Sequence, residues 1–289
     1  MRFRHISLSL LLILLLGVVP AFASHGWGSY HWPRSCSTCA ANITVYDTTA
    51  ATNTNWSDHL NKALFGDGAN PNTANRRGWN DSAALALTRS FSSASRSSCA
   101  AVSNAVRVCN YTYGSTGWLG LAQISTTSGT THIAWGTTKI NDTYFDTGSY
   151  PNTEKRHVMC QEVGHDFGLG HTSENGSSQN TCMDYYRNTS SSDWTSTGPN
   201  QHDFDQLLTQ HHWGAALPPV VLSISEISAA ADADGDLSEP WQWGTPFEWD
   251  DHGRAVGFEL ELGGRAIFTF VRWADTEGER PTPRIIEQK

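Results

Sequence analysis

Hydrophobic and polar positions change period several times along this chain, and each change marks an element. Ile43 to Tyr46 alternates like a short strand. Trp56, Leu60, Leu64 and Phe65 then fall on one helical face, with Asn55 or Ser57 placed to cap its start. Trp79, Ala83, Leu87 and Phe91 recur at four-residue steps and predict a second helix. From Val106 the period becomes two. Val106–Val108, Leu119–Ile124 and His132–Ile140 read as strands separated by Gly, Ser and Thr turns. A third helix is expected from Asn152 or Thr153, just after Pro151, to about Phe167. Gly168 stops it, because glycine accepts the left-handed backbone that ends helices. Residues 172–200 are polar and turn-rich, and a last helix follows Pro199-Asn200 with Phe204, Leu207 and Leu208 inward. Beyond Pro218-Pro219, Val256, Phe258, Leu260 and Leu262 alternate. Gly263-Gly264 turns, and Ile267, Thr269, Val271 and Trp273 alternate back as a hairpin. Helices and mixed strands on one core make the expected class α+β.

The first residues do not belong to this core. Arg2 and Arg4 precede an apolar run from Ile6 to Val19, and Ala21-Phe22-Ala23 follows, so residues 1–23 read as a signal peptide cleaved after Ala23. A retained anchor needs roughly 20 apolar residues, and this run is shorter. The expected product is secreted, extracellular and free of the membrane. Its catalytic-size domain covers 24–215, and a linker with a small β appendage covers 216–289. The formal charge of −9 becomes −11 once Arg2 and Arg4 are gone. With no basic cluster, nucleic acid and anionic membranes are set aside as partners.

All six cysteines survive cleavage, and an even number in an exported chain predicts disulfides. Pairing of neighbours gives Cys36–Cys39, Cys99–Cys109 and Cys160–Cys182. The alternative for the first pair, half of a zinc site, lacks a second Cys-x-x-Cys.

Candidate chemistry concentrates between Gln161 and His171. Gln161 and His165 are four apart and share a helical face, and Gly168 lets the chain turn so that His171 returns to the same point. Two imidazoles, a third oxygen or nitrogen donor and a water describe a catalytic zinc site. Glu162 stands beside this ligand row, where its carboxylate can hold and deprotonate the water, whose pKa zinc lowers to about 7.

This segment resembles the extended zinc motif of the metzincin metallopeptidases, His-Glu-x-x-His-x-x-Gly-x-x-His, and more closely that of matrixin-type secreted members. The match lies at Glu162, His165, Gly168 and His171. Cys182-Met183-Asp184-Tyr185 resembles the Met-turn of the same family. The resemblance is specific from His157 to Tyr186, weaker from Gly117 to Trp213, and does not reach the tail after Pro218. It implies a metzincin-like domain with a mixed, twisted sheet, an active-site helix and a C-terminal helix, holding one catalytic zinc. It also implies a secreted endopeptidase acting on an extended peptide or protein. Glu162 would be general base and then proton donor. Met183 would be structural beneath the metal, and Tyr185 would stabilise the oxyanion or reach the zinc. Gly120-Leu121-Ala122 resembles the exposed edge strand along which such a substrate lies, and equally reads as a core strand with a glycine bend.

One position departs from the pattern. Gln161 stands where the family has its first histidine, and an amide oxygen is a weaker zinc donor than imidazole. Three readings stay open. Gln161 ligates the metal; or His157 replaces it, although it precedes His165 by about 12 Å of helix; or the site has lost its metal and the chain is a secreted binding protein. Hydrolysis of a non-peptide substrate is a further possibility. Cys160 and Cys182 directly precede Gln161 and Met183, so their bridge would staple the helix to the turn.

Weaker signals remain. Asp232-Ala233-Asp234-Gly235-Asp236 suggests calcium, but Leu237 and Trp243 occupy the positions where an EF-hand loop needs Gly and Glu, so a solvated acidic loop is expected. Trp241, Trp243, Phe247 and Trp249 read either as a binding surface or as packing on the hairpin. Asn42, Asn110, Asn141 and Asn188 head glycosylation sequons.

Overall fold

A computed structural model describes residues 25–67, 77–211 and 240–274. The expected signal peptide, Pro218-Pro219 and the Asp232–Asp236 run lie outside the described residues. Eight strands form a single mixed sheet in an α+β fold. The strands are β1 Ala41–Asp47, β2 Leu85–Phe91, β3 Ala105–Tyr111, β4 Trp118–Thr126, β5 Ile133–Asn141, β6 Thr245–Trp249, β7 Ala255–Leu262 and β8 Arg265–Trp273. Their order across the sheet is β2-β1-β3-β5-β4-β8-β7-β6. The β1–β2, β1–β3 and β3–β5 pairs are parallel. From β5 through β4, β8 and β7 to β6 every pair is antiparallel.

The helices are α1 Trp56–Phe65, α2 Asp142–Phe145, α3 Asn152–Asp166 and α4 Gln201–Gln210. Asn55 caps α1 by accepting from the Asp58 N–H, one of the two expected caps. Asn200 and Asp203 form a reciprocal capping box at α4. Every residue of α3 from Thr153 to Asp166 is buried, because β4 and β5 lie beneath it and α1 packs alongside. Gly168 has φ 97°, and a Cβ there would also sit 2.6 Å from the Tyr30 carbonyl, so the stop after α3 requires glycine twice over.

The helix predicted over 79–91 does not form. Trp79–Asp81 makes one 3-10 turn, and Leu85–Phe91 is strand β2. The four-residue spacing of Trp79, Ala83, Leu87 and Phe91 hid a period of two, in which Leu85 and Leu87 are buried and Phe91 is 76% exposed. Parallel pairing with β1 and an Asn80 side chain accepting from Leu87 N–H (2.7 Å) hold the extended form.

The C-terminal hairpin forms where its alternation places it, but it does not stand apart as an appendage. β8 pairs with β4 along Trp118–Ser125, so the strand containing Gly120-Leu121-Ala122 is interior to the sheet. β4 and β5 are buried at every position, which explains why their sequences carry little clean alternation. Two of their polar side chains are satisfied across the core: Gln123 donates to Thr269 at 3.2 Å and Thr138 to Asp166 at 2.8 Å. Trp243 packs on Phe258 and Trp273, whereas Trp241 and Trp249 are exposed.

All three expected disulfides are present, with Cα separations of 5.0 Å for Cys36–Cys39, 6.0 Å for Cys99–Cys109 and 5.8 Å for Cys160–Cys182. No helix among the described residues is long and apolar enough to cross a membrane. Of the asparagines named above, Asn42 is exposed, whereas Asn110, Asn141 and Asn188 are fully buried.

Candidate metal centre

Helix α3 carries Gln161, Glu162 and His165 and delivers them, fully buried, to one end of the sheet. The loop after Gly168 brings His171 back, so that its ring meets His165 at 4.7 Å between centroids and nearly perpendicular. This loop is gripped from outside: Gly170 N–H donates to the His25 carbonyl, and Gln210 of α4 donates to the Gly168 carbonyl, both at 2.5 Å.

The three expected ligands share one feature. Each has one polar atom tied to the protein and the other left over. Gln161 Nε2 donates to the Asp184 carbonyl (2.8 Å), which orients the amide and leaves Oε1 buried without a partner. His165 Nδ1 pairs with the Leu169 carbonyl (2.7 Å), and His171 Nδ1 with Glu248 Oε2 (3.0 Å). Such backing fixes the tautomer in which Nε2 carries the free lone pair, as the hydrogen bond behind a metal-binding histidine usually does. Both carboxylate oxygens of Glu162 are likewise buried and unpartnered. An orphaned amide oxygen, two oriented imidazoles and a free carboxylate suit a cation of borderline softness such as zinc.

His157 is not part of this set. Its Nε2 lies 3.0 Å from the Asp184 carbonyl, the same atom that Gln161 engages. It braces the turn that carries Met183 instead of pointing toward His165.

Met183 lies under α3. A Cβ on Gly164 would collide with the Met183 sulfur and come within 2.6 Å of the Trp79 ring, so the turn and the helix touch only because residue 164 has no side chain. Cys160–Cys182 ties the two together, four residues before Gly164 on the helix and one residue before Met183 on the turn. Gly120 plays the same part on the opposite side, where a Cβ would meet Glu162 Oε1 at 2.6 Å and Val158 at 2.7 Å. The close approach of β4 to Glu162 depends on it.

Electrostatics follow from burial. Desolvation pushes the Glu162 carboxyl well above its ordinary range, with Arg272 pulling the other way and Asp166 adding to the rise. His165 is held well below the usual imidazole value by burial and then by His171, so it is neutral and able to donate a lone pair. Glu174 and Glu248 lie side by side: burial and the neighbouring carboxylate raise Glu174, while His171 holds Glu248 low against its own burial.

No protein-family model matches this chain, and no curated protein or solved structure matches it either.

Several residues at the site carry no local signal in the sequence. Glu248 reaches His171 from 77 positions away, from between Phe247 and Trp249. Phe270 stacks flat on His165 with centroids 4.2 Å apart. Tyr185 meets His171 edge to face at 5.1 Å, but its hydroxyl is engaged by β8: it donates to the Val271 carbonyl (3.2 Å) and accepts from Trp273 N–H (3.0 Å). A cleft of about 480 Å³ opens beside His171, lined by the 25–30 segment, Glu174, Glu248 and Phe270. Among the described residues, three groups place three metal-capable atoms within 4.8 Å of one another: His171 with Glu174 and Glu248, His25 with His202 and Asp203, and Asp250 with Asp251 and His252.

Proposed function

We propose that this chain is a zinc-dependent endopeptidase. The observation that carries the reading is the shared state of Gln161, His165 and His171, each with one heteroatom anchored and one free, beside a Glu162 carboxylate with no partner. Gln161 Oε1 and the two Nε2 atoms would hold the ion. Zinc there supplies Lewis acidity and brings the pKa of a water to about 7. Glu162 takes the proton from the attacking water and delivers it to the leaving amine nitrogen. Strand pairing of an extended peptide with β4 would require β8 to give up its place there, and the hydrogen bond to Asp184 keeps the Gln161 oxygen aimed one way. The resemblance to metzincins at Glu162, His165, Gly168, His171 and Met183 supports the same reading.

The test combines metal content with hydrolysis of an unfolded protein. Wild type and Glu162→Gln are expected to hold close to one zinc per chain, and His165→Ala with His171→Ala far less. Chelator-sensitive hydrolysis should fall by about 10²-fold or more in Glu162→Gln. Purified protein that takes up no zinc, or hydrolysis indifferent to Glu162→Gln, refutes the proposal. A second reading, a binding protein that retains the fold, is favoured by one observation: β8 already lies along β4. Zinc binding without Glu162-dependent hydrolysis decides for it.

A further inference from the structure

The strand that fills the side of β4 belongs to the chain itself. β8 runs antiparallel to β4 in near-continuous register, from Trp118↔Trp273 to Ser125↔Ile267. Strand alternation sends Phe270 and Arg272 to the same face, toward α3, while Val271 and Trp273 pack on the other side with Trp118 and Leu121. Phe270 is fully buried and lies over His165, with His171 6.0 Å away. Arg272 is 3% exposed and donates to Glu154 (3.1 Å) and to the Tyr186 carbonyl (2.7 Å). The Tyr185 hydroxyl is spent on the β8 backbone, and Glu248 of β6, two strands beyond β8, occupies His171 Nδ1.

The receiving groups are built into the main body. Glu154 sits in the first turn of α3, 1% exposed, and its other oxygen is fixed by Asn188 N–H at 2.7 Å. Its buried carboxylate thus receives a guanidinium from β8. The face of His165 offers a flat ring to an aromatic side chain. These are two receiving sites, one for an aromatic ring and one for a cation, spaced for residues i and i+2 of an extended strand.

Resting on the peptidase reading above, we infer that β8 is the chain's own occupant of its peptide cleft, and that Phe270-x-Arg272 reports what the cleft takes: an extended peptide carrying an aromatic side chain two residues before an arginine, bound antiparallel to β4. Such a peptide competes with a strand of the same chain for one place in the sheet, so the intact chain holds itself closed.

The test uses the full mature chain, zinc-loaded and carrying Glu162→Gln so that nothing is cut. A fluorescent peptide with the sequence of residues 265–274 is titrated against it and against the same chain with Phe270→Ala and Arg272→Ala. The expected result is about tenfold or more tighter binding to the second chain, and a similar loss when the peptide's own phenylalanine or arginine is replaced by alanine. Hydrogen exchange on the chain without the β8 substitutions is a second measurement that does not depend on those variants folding. Saturating peptide should strip protection from β8 while β4 keeps it. Equal affinity for both chains, no binding to either, indifference to the two peptide substitutions, or unchanged β8 protection overturns the inference. With Glu162 intact, a peptide bound with this preference but never cut leaves the inference standing and sinks the peptidase reading. Cutting without the preference does the reverse.

Discussion

Removing the Cys160–Cys182 bridge by Cys160→Ala with Cys182→Ala perturbs the joint between α3 and the turn that carries Met183. The bridge spans 22 positions. Loop-closure entropy for that length is worth about 3 kcal/mol at 25 °C. Both sulfurs are fully buried, so their loss adds roughly 1 kcal/mol of packing. The total of about 4 kcal/mol corresponds to a fall in Tm of roughly 8–16 °C for a chain of this size. Urea denaturation of wild type and variant, both unreduced, measures it, with Cys36→Ala/Cys39→Ala as a control closing a loop of only 3. The site gives a second readout. Gln161 and Met183 each adjoin a bridged cysteine, so zinc affinity should drop alongside stability. A loss under about 1 kcal/mol, no larger than in the control, would refute the claim that this staple holds the turn to the helix.

Two further predictions follow from named groups. Burial lowers the His59 imidazole to about 4, with Arg156 adding to the effect. A folded value below the unfolded one of about 6.5 means that His59 is neutral in the fold, so its contribution is complete above pH 6.5 and is lost as pH falls from there toward 4, amounting to about 3 kcal/mol. His59→Gln should flatten the stability-versus-pH curve by that amount over that window, and a change below about 1 kcal/mol in urea titrations at pH 7 and 4 would refute it. Gln161→His exchanges an amide oxygen for an imidazole nitrogen at the candidate centre and should tighten zinc by about tenfold or more in a chelator competition; unchanged affinity would exclude residue 161 from the ligand set.

Local patterns in the sequence carried most of the elements and put Gln161, His165 and His171 forward as candidates. The caps at Asn55 and Asn200, the stop at Gly168, the three disulfides and the Gln161–His171 spacing are all short-range features that a linear reading can see. Trp79–Phe91 misled because four-residue spacing is also a multiple of two, and pairing with β1 decided between them. The partner of the C-terminal hairpin was invisible for a different reason. Alternation in Val256–Trp273 says that a strand has one apolar face, not which edge completes its hydrogen bonds. Glu248, Phe270 and Arg272 therefore reached the site unannounced, through tertiary pairing alone.

The place of β8 in the sheet also fixes an order of events in time. Gln123 on β4 and Thr269 on β8 are bonded across 146 positions of sequence. At about 5–20 residues per second, β4 exists for roughly 7–30 s before its neighbour has been synthesised. During that interval the row of unpaired N–H and C=O groups along β4 is a template open to any extended segment, including one from a second nascent chain. Lesions in β8 should therefore show first as aggregated product and low yield, even where the finished molecule, once recovered, unfolds at an almost normal temperature.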